Sequence, residues 1–294
     1  MATAEMTAMT QSTLTLRSAL REHWPEYLIE GWALGTFMLS AAVFATLLEA
    51  PGSPVHRAIS DPDVRRALVG LAMGLTAIAL IYSPWGRRSG AHMNPAVTLT
   101  FLRLGRMRGW DAAFYVVAQV LGGTLGVLLA AAALGTPFTA PPVNHAVTVP
   151  GPAGAGVAFL AELAISAVMM FTVVAVSGSA RYMKYTGLCA GLLVATWITF
   201  EAPYSGMSMN PARTLASAWP AATWDGFWLY VVAPLAGMQL GAVLHGFSVR
   251  GPSTGCAKLC HGERERCIHC GYPGAPTPAL PRLAAGEGAT GIHT

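Results

Sequence analysis

Two stretches of the sequence decide the fold: Ser89-Gly90-Ala91-His92-Met93-Asn94-Pro95-Ala96-Val97-Thr98 and Ser208-Met209-Asn210-Pro211-Ala212-Arg213. Each contains the tripeptide Asn-Pro-Ala, and each opens a moderately apolar segment, about 94–104 or about 210–219, that is too short to cross a bilayer. Proline fits the first turn of a helix, where its missing N–H would have no partner, and asparagine is a favoured N-cap. The pattern predicts two half-membrane helices capped by Asn94 and Asn210.

The composition of the whole chain indicates a membrane protein. Of its 294 residues, 53% are hydrophobic and 11% are charged, and the mean hydropathy is +0.48. A soluble domain has about 25% charged residues, so an ordinary soluble enzyme is excluded. Residues 1–26 contain charges but no apolar run, so we expect a cytoplasmic N-terminal segment and not a cleaved signal peptide.

Six stretches reach or approach the roughly 20 apolar residues that a spanning helix needs. They are about 27–49, 67–83, 111–134, 156–178, 186–201 and 226–248. Six spans place both termini on one side, and 14 of the 18 lysines and arginines lie in segments on that side. The six spans predict an all-α membrane protein. The positive-inside rule predicts that its termini are cytoplasmic, and we expect it in the inner (plasma) membrane. The net charge of +4 reflects this orientation and does not indicate a nucleic-acid partner.

The sequence also contains an internal duplication, with a first repeat at about 27–134 and a second at about 156–248. Each repeat has a span with a lone glutamate, Glu30 or Glu162, then two further spans, with an Asn-Pro-Ala segment after the second span of the repeat. Because three is an odd number of spans, the second copy lies upside down relative to the first. The two half-helices then enter from opposite faces and meet near the bilayer midplane with their N-termini inward.

This arrangement predicts a pore. Loops at membrane depth are tolerated only where protein buries them or where they line a watery path. The positive ends of the two helix dipoles disfavour any cation, including a hydrated proton, and the amides of Asn94 and Asn210 can donate hydrogen bonds to a passing oxygen. We expect a passive channel that conducts water, excludes protons and ions, and carries out no covalent chemistry.

These residues resemble the paired signatures of the aquaporin, or major intrinsic protein, family. The resemblance covers about 27–249, the channel domain, and Gly35-Thr36-Phe37 and Gln119 support it. It implies six transmembrane helices plus two re-entrant half-helices, a homotetramer with one pore in each subunit, and no required cofactor. The implied partners are water, small neutral solutes and the lipid bilayer.

The resemblance also assigns roles to individual residues. It gives Glu30 and Glu162 the task of orienting the loops, places His92 beside the pore, and assigns the pore midpoint to Asn94, Pro95, Ala96, Asn210, Pro211 and Ala212. It further implies an extracellular constriction formed by Ile198, Met207, Arg213 and either Met73 or Gly74, of which we favour Met73.

The constriction departs from both familiar patterns of the family. Water-selective members usually have His where Ile198 stands, and glycerol-conducting members usually have Asp where Thr214 stands. The permeant therefore stays open among water, glycerol, ammonia and hydrogen peroxide. Glu201, at the outer end of the fifth span, is expected to be solvated.

A cysteine-rich cytoplasmic tail occupies 250–294. Four thiolates, those of Cys256, Cys260, Cys267 and Cys270, can enclose one zinc ion, with His261 and His269 as possible substitutes. The other readings are a reduced, unstructured tail and a regulatory thiol pair. After Tyr272 the Pro- and Gly-rich end is expected to be disordered.

Two other functions compete with the passive channel. Inverted repeats and broken helices also build secondary transporters, in which Glu30, Glu162 and Arg213 are the candidate coupling groups. Alternatively, the channel scaffold anchors a metal- or redox-sensing tail.

Overall fold

The computed structural model describes residues 15–248, 255–261 and 265–275. Its framework consists of eight helices: α1 (Leu16–Glu49), α2 (Pro62–Tyr82), α3 (Pro95–Arg103), α4 (Gly109–Leu134), α5 (Ala155–Ser177), α6 (Thr186–Phe200), α7 (Pro211–Ala221) and α8 (Leu229–Ser248). Six are long and apolar enough to cross a membrane, α6 together with the 3-10 turn Met183–Tyr185 before it, whereas α3 and α7 are short. Within the described residues the prediction of an all-α, six-span protein is confirmed.

Short helical turns connect these helices. Besides Met183–Tyr185 they comprise four α-helices of four to six residues and one further 3-10 turn: Pro54–Ala58, Pro84–Ser89, Thr136–Thr139, Ala202–Ser205 and Asn144–Ala146. The start of α1, the end of α8 and the described tail residues 255–261 and 265–275 lie on one side, which we call the tail side, and the opposite side is the far side. The loop before α3 lies on the tail side, and the loop before α7 lies on the far side.

Helix α1 begins at Leu16, well before the predicted start near residue 27. Thr15 and Ser18 form a capping box, in which each side chain accepts a hydrogen bond from the other residue's backbone N–H. Ala19, His23 and Glu26 are buried, at the spacing of one helical face. The hydropathy of residues 16–26 is low because the other face of this part of the helix is charged. A prediction from hydropathy alone therefore places the start of the helix too late.

Glycines allow the helices of each repeat to pack backbone against backbone. In the first repeat, a Cβ atom added to Gly122 of α4 would lie 2.0 Å from the carbonyl oxygen of Gly31 in α1. In the second repeat, a Cβ on Gly241 of α8 would lie 2.1 Å from the carbonyl oxygen of Ala167 in α5. Such contacts between small residues bring helices together where lipid supplies no hydrophobic drive. The first and third spans of each repeat are thus joined in the same way.

Candidate functional site

A cavity of about 570 Å³ lies between the helices and extends from the far side to the tail side. Glu49, Pro62 and Arg66 line its far-side end, and Ile81 and Leu259 line its tail-side end. Between these ends it is bounded by α1, α2, α5, α6 and α8 and by the two loops that precede α3 and α7. A path through the protein therefore passes both Asn-Pro-Ala segments.

Asn94 and Asn210 lie side by side at the point where the two half-helices meet. The Nδ2 of Asn94 donates a hydrogen bond to the carbonyl oxygen of Met209 at 2.7 Å, and the Nδ2 of Asn210 donates to that of Met93, also at 2.7 Å. Each Oδ1 accepts from the backbone N–H two residues on, as an N-cap does. Both asparagines line the cavity, and each amide retains one N–H for a partner in it.

Glu30 of α1 lies beneath the loop that precedes α3. One carboxylate oxygen accepts from the backbone N–H of His92 at 3.0 Å and from Ser89 Oγ at 2.8 Å. The other accepts from the N–H of Met93 at 2.7 Å and from Gln119 Nε2 at 2.9 Å. The carboxylate is fully buried, and these donors offset the cost of burying its charge.

Glu162 of α5 has the same position beneath the loop that precedes α7. It accepts from the backbone N–H of Ser208 at 2.6 Å and of Met209 at 2.7 Å, and from Ser205 Oγ at 2.9 Å. The φ angles of Met207 and Met209 are positive, +53° and +52°, a conformation that non-glycine residues seldom adopt. The glutamate hydrogen bonds help to stabilise this strained backbone.

The sequence interpretation missed two hydrogen bonds from tyrosines that fix the loops, one in each repeat. Tyr115 donates its hydroxyl hydrogen bond to the carbonyl oxygen of Ser89, and Tyr230 donates in the same way to Ser205. A signal was present, because Ser89-Gly90 and Ser205-Gly206 precede the two Asn-Pro-Ala segments at the same distance. The duplicated motif is therefore Ser-Gly-x-x-Met-Asn-Pro-Ala.

The four residues assigned to the constriction all line the cavity. They are Met73 of α2, Ile198 of α6, Met207 and Arg213. The Nη1 of Arg213 donates to the hydroxyl oxygen of Thr148, a residue of the far-side loop between α4 and α5. Gly74 instead faces α6, since a Cβ there would lie 2.5 Å from the carbonyl oxygen of Gly191. Of the two alternatives in α2, Met73 is therefore the one on the cavity.

The sequence model of one protein family, described as Major intrinsic protein, matches residues 21–245. The chain belongs to the major intrinsic protein family. Membership in this family supports the expected passive channel over an enzyme.

Known proteins agree with the family assignment. The chain is similar to Aquaporin NIP1-2 of Oryza sativa subsp. japonica, with 39% identity over 58% of this chain and 56% of that protein. It is also similar to Aquaporin NIP1-2 of Arabidopsis thaliana, with 33% identity over 71% of this chain and 69% of that protein. The chain thus spans little more than half of the rice protein's length. The fold is similar to the crystal structure of an aquaglyceroporin from Plasmodium falciparum, with a TM-score of 0.62 and 22% identity over 76% of this chain and 94% of that one.

His92 of this major intrinsic protein faces the tail-side half of the cavity. Its Nδ1 is 3.0 Å from the hydroxyl oxygen of Thr98, and its Nε2 is 2.7 Å from the carbonyl oxygen of Ala257 in the tail. Both ring nitrogens therefore have partners. One of these partners, Ala257, belongs to the tail and not to the loop that contains His92. His269 stacks on His92 with ring centroids 6.0 Å apart, and its Nε2 lies 3.2 Å from the carbonyl oxygen of Ser89.

The described part of the tail contains a cluster of potential metal ligands, which we call the tail cluster: Cys256, His261, Cys267 and Cys270. One ligand atom from each lies within 4.8 Å of all the others. The Sγ atoms of Cys256 and Cys267 are 3.3 Å apart, and His261 Nε2 is 3.3 Å from Cys270 Sγ. A tetrahedral site with Zn–S bonds of about 2.3 Å has ligand atoms about 3.8 Å apart, so this spacing fits zinc.

The tail cluster differs from the predicted ligand set at one position. Cys260 is buried outside the tail cluster, and His261 takes its place. His269, the other possible substitute, lies against Ser89; burial lowers its pKa to about 4. Disorder was predicted after Tyr272. From residue 276 on, this prediction concerns residues that lie outside the described part of the chain.

Proposed function

We propose that this protein conducts water and small neutral solutes through the cavity and excludes protons and ions. The observation that carries the proposal is the reciprocal pair of hydrogen bonds between the two half-helices, from Asn94 to Met209 and from Asn210 to Met93. These bonds hold two helix N-termini against one lumen. The positive ends of both dipoles then act on the same point, where they raise the energy of any cation.

The asparagines also provide what a neutral permeant needs at that point. A water molecule loses hydrogen bonds when it enters a narrow passage, and each asparagine amide has one N–H left to replace them. The dipoles and amides are fixed by N-cap and loop hydrogen bonds. Neutral solutes therefore find donors ready, whereas cations meet an unfavourable field.

Selection among neutral solutes is proposed to occur on the far side, at Met73, Ile198, Met207 and Arg213. Arg213 provides the charge and the hydrogen-bond donors, while the other three side chains provide apolar and, for the methionines, flexible walls. Apolar walls in place of a histidine favour a passage that admits a solute larger than water. Glycerol is the probe of choice for this property.

The coupled-transport alternative is not favoured, and the contacts of the two glutamates supply a physical reason. Each of Glu30 and Glu162 already accepts hydrogen bonds from two backbone N–H groups and from at least one side chain. A carboxylate engaged in this way is committed to holding a loop. It has little capacity to bind and release a coupling ion during each transport cycle.

The surroundings of the channel are proposed from its sequence and family. The protein is a multi-pass membrane protein, and the distribution of lysine and arginine favours the inner (plasma) membrane with the tail side in the cytoplasm. The family resemblance favours a homotetramer with one pore in each subunit. Chemical cross-linking in native membranes, followed by electrophoresis, tests the oligomer: a ladder that ends at four chains is expected.

We also propose that the tail cluster binds one zinc ion per chain. Three thiols and one imidazole are a common structural zinc set, and they are already gathered here. Elemental analysis of protein purified without chelators is expected to give about one zinc per chain. The variant Cys256→Ser/Cys270→Ser should lose the metal, whereas Cys189→Ser, in α6, should retain it.

The channel itself is tested by stopped-flow light scattering of proteoliposomes. The vesicles are challenged first with an impermeant osmolyte, which reports water flux, and then with glycerol. Both fluxes are expected to exceed those of protein-free vesicles, and neither should change when an ion gradient is imposed. A flux that depends on an ion gradient would contradict the passive channel.

A further inference from the structure

The described part of the tail covers the tail-side mouth of the cavity. Ala257 and Leu259 are 0% and 5% exposed, and Leu259 lines the cavity beside Ile81. The backbone N–H of Leu259 donates to the carbonyl oxygen of Gly90 at 3.2 Å, and His92 Nε2 is hydrogen-bonded to the carbonyl oxygen of Ala257 at 2.7 Å. The turn 257–259, which we call the plug, therefore rests on the same loop that leads into the pore.

A second tail segment, 265–275, is anchored to the channel domain. Arg266 donates to both carboxylate oxygens of Glu26 in α1, at 3.2 and 3.1 Å, and to the carbonyl oxygen of Glu22 at 2.6 Å. Glu26 is fully buried, so its charge needs these partners. Lys258 Nζ donates to the carbonyl oxygen of Arg266 at 2.9 Å. The anchored segment thus holds the plug from behind.

The tail cluster joins the plug to this anchored segment. Cys256 and His261 flank the plug on either side, while Cys267 and Cys270 belong to the anchored segment. An ion bound to all four would close the plug into a small rigid loop tied to α1 through Arg266. The ligand atoms lie within 4.8 Å of one another while the plug is seated. A metal ion therefore binds the seated state more tightly than a state in which the two segments separate, and it shifts the population towards the seated state.

We propose that the tail cluster is a latch on the channel: zinc bound to Cys256, His261, Cys267 and Cys270 holds the plug in the tail-side mouth and lowers the flux, and loss of zinc releases it. The proposal rests on the channel function and the zinc site proposed above. It adds that the metal regulates conduction, with Leu259 as the side chain that obstructs the path.

Stopped-flow measurements on the full-length chain test the latch. Vesicles are reconstituted with Zn²⁺ or with a zinc chelator present on both faces, so that the orientation of the protein in the vesicle does not matter. Zinc is expected to lower water permeability by about tenfold. A shift of this size requires zinc to bind the seated state at least about ten times more tightly than the released state. Elemental analysis of the same samples verifies the metal content.

Three variants separate the latch from a purely structural zinc site. Cys256→Ser/Cys270→Ser is expected to have high flux that zinc does not change. Leu259→Ala keeps all four ligands, so it should bind zinc as wild type does and yet conduct more in the zinc-bound state. Cys260→Ser changes a buried tail cysteine outside the cluster, and it should respond to zinc as wild type does.

The outcomes distinguish the latch from the channel. If wild type conducts above protein-free vesicles and its flux is the same with zinc and with chelator, the latch is wrong and the channel stands. Zinc-bound Leu259→Ala with wild-type flux also overturns the latch. If chelated wild type and the cluster variant both fail to exceed protein-free vesicles, the channel function itself is wrong.

Discussion

Ile198 is the residue at which we expect the choice among solutes to be altered most directly. It lies on the cavity near the far side, on the stretch of wall that also includes Arg213. A histidine there narrows the passage and adds a polar contact for water. Ile198→His should therefore raise the ratio of water flux to glycerol flux, measured by stopped flow on matched amounts of folded protein.

A conservative change at the same position provides the control. Ile198→Val keeps an apolar wall and shortens it by one methyl group, so the flux ratio should stay near that of wild type. If Ile198→His leaves both fluxes unchanged, the narrowest point lies elsewhere.

Glu30 should be intolerant of even an isosteric change. Both of its oxygens accept from donors, so in Glu30→Gln the amide N–H₂ faces another donor whichever way it is turned. Leaving buried donors unpaired costs about 1–3 kcal/mol, and we expect a lower melting temperature in detergent. Asp63→Asn, at a side chain that is 76% exposed, is the matched control and should melt with wild type; equal melting of Glu30→Gln would contradict the loop-holding role.

Glu201 provides a pH-dependent test. It was expected to be solvated, but it is 8% exposed. Burial raises its pKa from 4.5 to about 7. Below pH 4.5 the carboxyl is neutral in both folded and unfolded protein and no penalty applies; as pH rises to 7 only the unfolded protein loses the proton, so the folded state loses stability.

Glu201→Gln stays neutral at every pH and avoids this penalty. Its melting temperature relative to wild type should therefore increase from pH 4.5 to pH 8, with the change concentrated between 4.5 and 7. Exposed Asp225 serves as a control, since Asp225→Asn should show little trend. A melting difference for Glu201→Gln that does not vary with pH would show that the carboxyl is not destabilised by its surroundings.

Single residues were predictable where a local rule acts on them. An asparagine before a proline is an N-cap on local grounds alone, so Asn94 and Asn210 could be placed at two helix starts. The place of His261 in the tail cluster and the burial of Glu201 depend on how distant segments pack. No spacing in the sequence distinguishes Cys260 from its neighbour, because the choice depends on which of them the channel domain buries.

At the level of helices, the glycine contacts between α1 and α4 lead to a further prediction. A methyl group on Gly122 has no room, since it would lie 2.0 Å from the carbonyl oxygen of Gly31. Gly122→Ala must push the helices apart, and overpacking of this kind costs about 1–3 kcal/mol. We expect a lower melting temperature and less folded protein in the membrane.

Another helical glycine provides the comparison. Gly156 of α5 has no atom within 4 Å of an added Cβ. Gly156→Ala should be neutral or stabilising by at most about 1 kcal/mol, because alanine favours the helix. If both variants behave alike, close helix contact is not what Gly122 provides.

The helices themselves were largely predictable, because a bilayer imposes their length and hydrophobicity. What the hydropathy pattern missed is the first part of α1, where residues 16–26 continue the helix beyond the apolar run. This part is stabilised by its buried face, which includes Glu26 paired with Arg88 and Arg266. Both arginines are distant from Glu26 in the sequence, so no local pattern predicts these ion pairs.

For the molecule as a whole, the orientation in the membrane can be tested with thiol reagents. In one variant Cys270, which is exposed, is the only cysteine; in the other Gly52→Cys is the only one, on the far-side loop, where an added Cβ has open space. A membrane-impermeant maleimide applied to intact cells should label the Gly52→Cys protein and spare the Cys270 protein. Inverted membrane vesicles should give the opposite labelling. The reverse of both results would place the tail side outside the cell and contradict the proposed orientation.

The motif Ser-Gly-x-x-Met-Asn-Pro-Ala has two variable positions, and they are the positions at which the two copies differ within a shared pattern. Among the shared residues, serine and glycine shape the loop, asparagine and proline start the helix, and the methionine and asparagine of both copies also line the cavity. In the first copy the variable positions are Ala91 and His92, which meets the tail; in the second they are Met207, on the cavity wall, and Ser208. These two adjacent sites, together with Arg213 where the first copy has Val97, make the two ends of a symmetric scaffold chemically different.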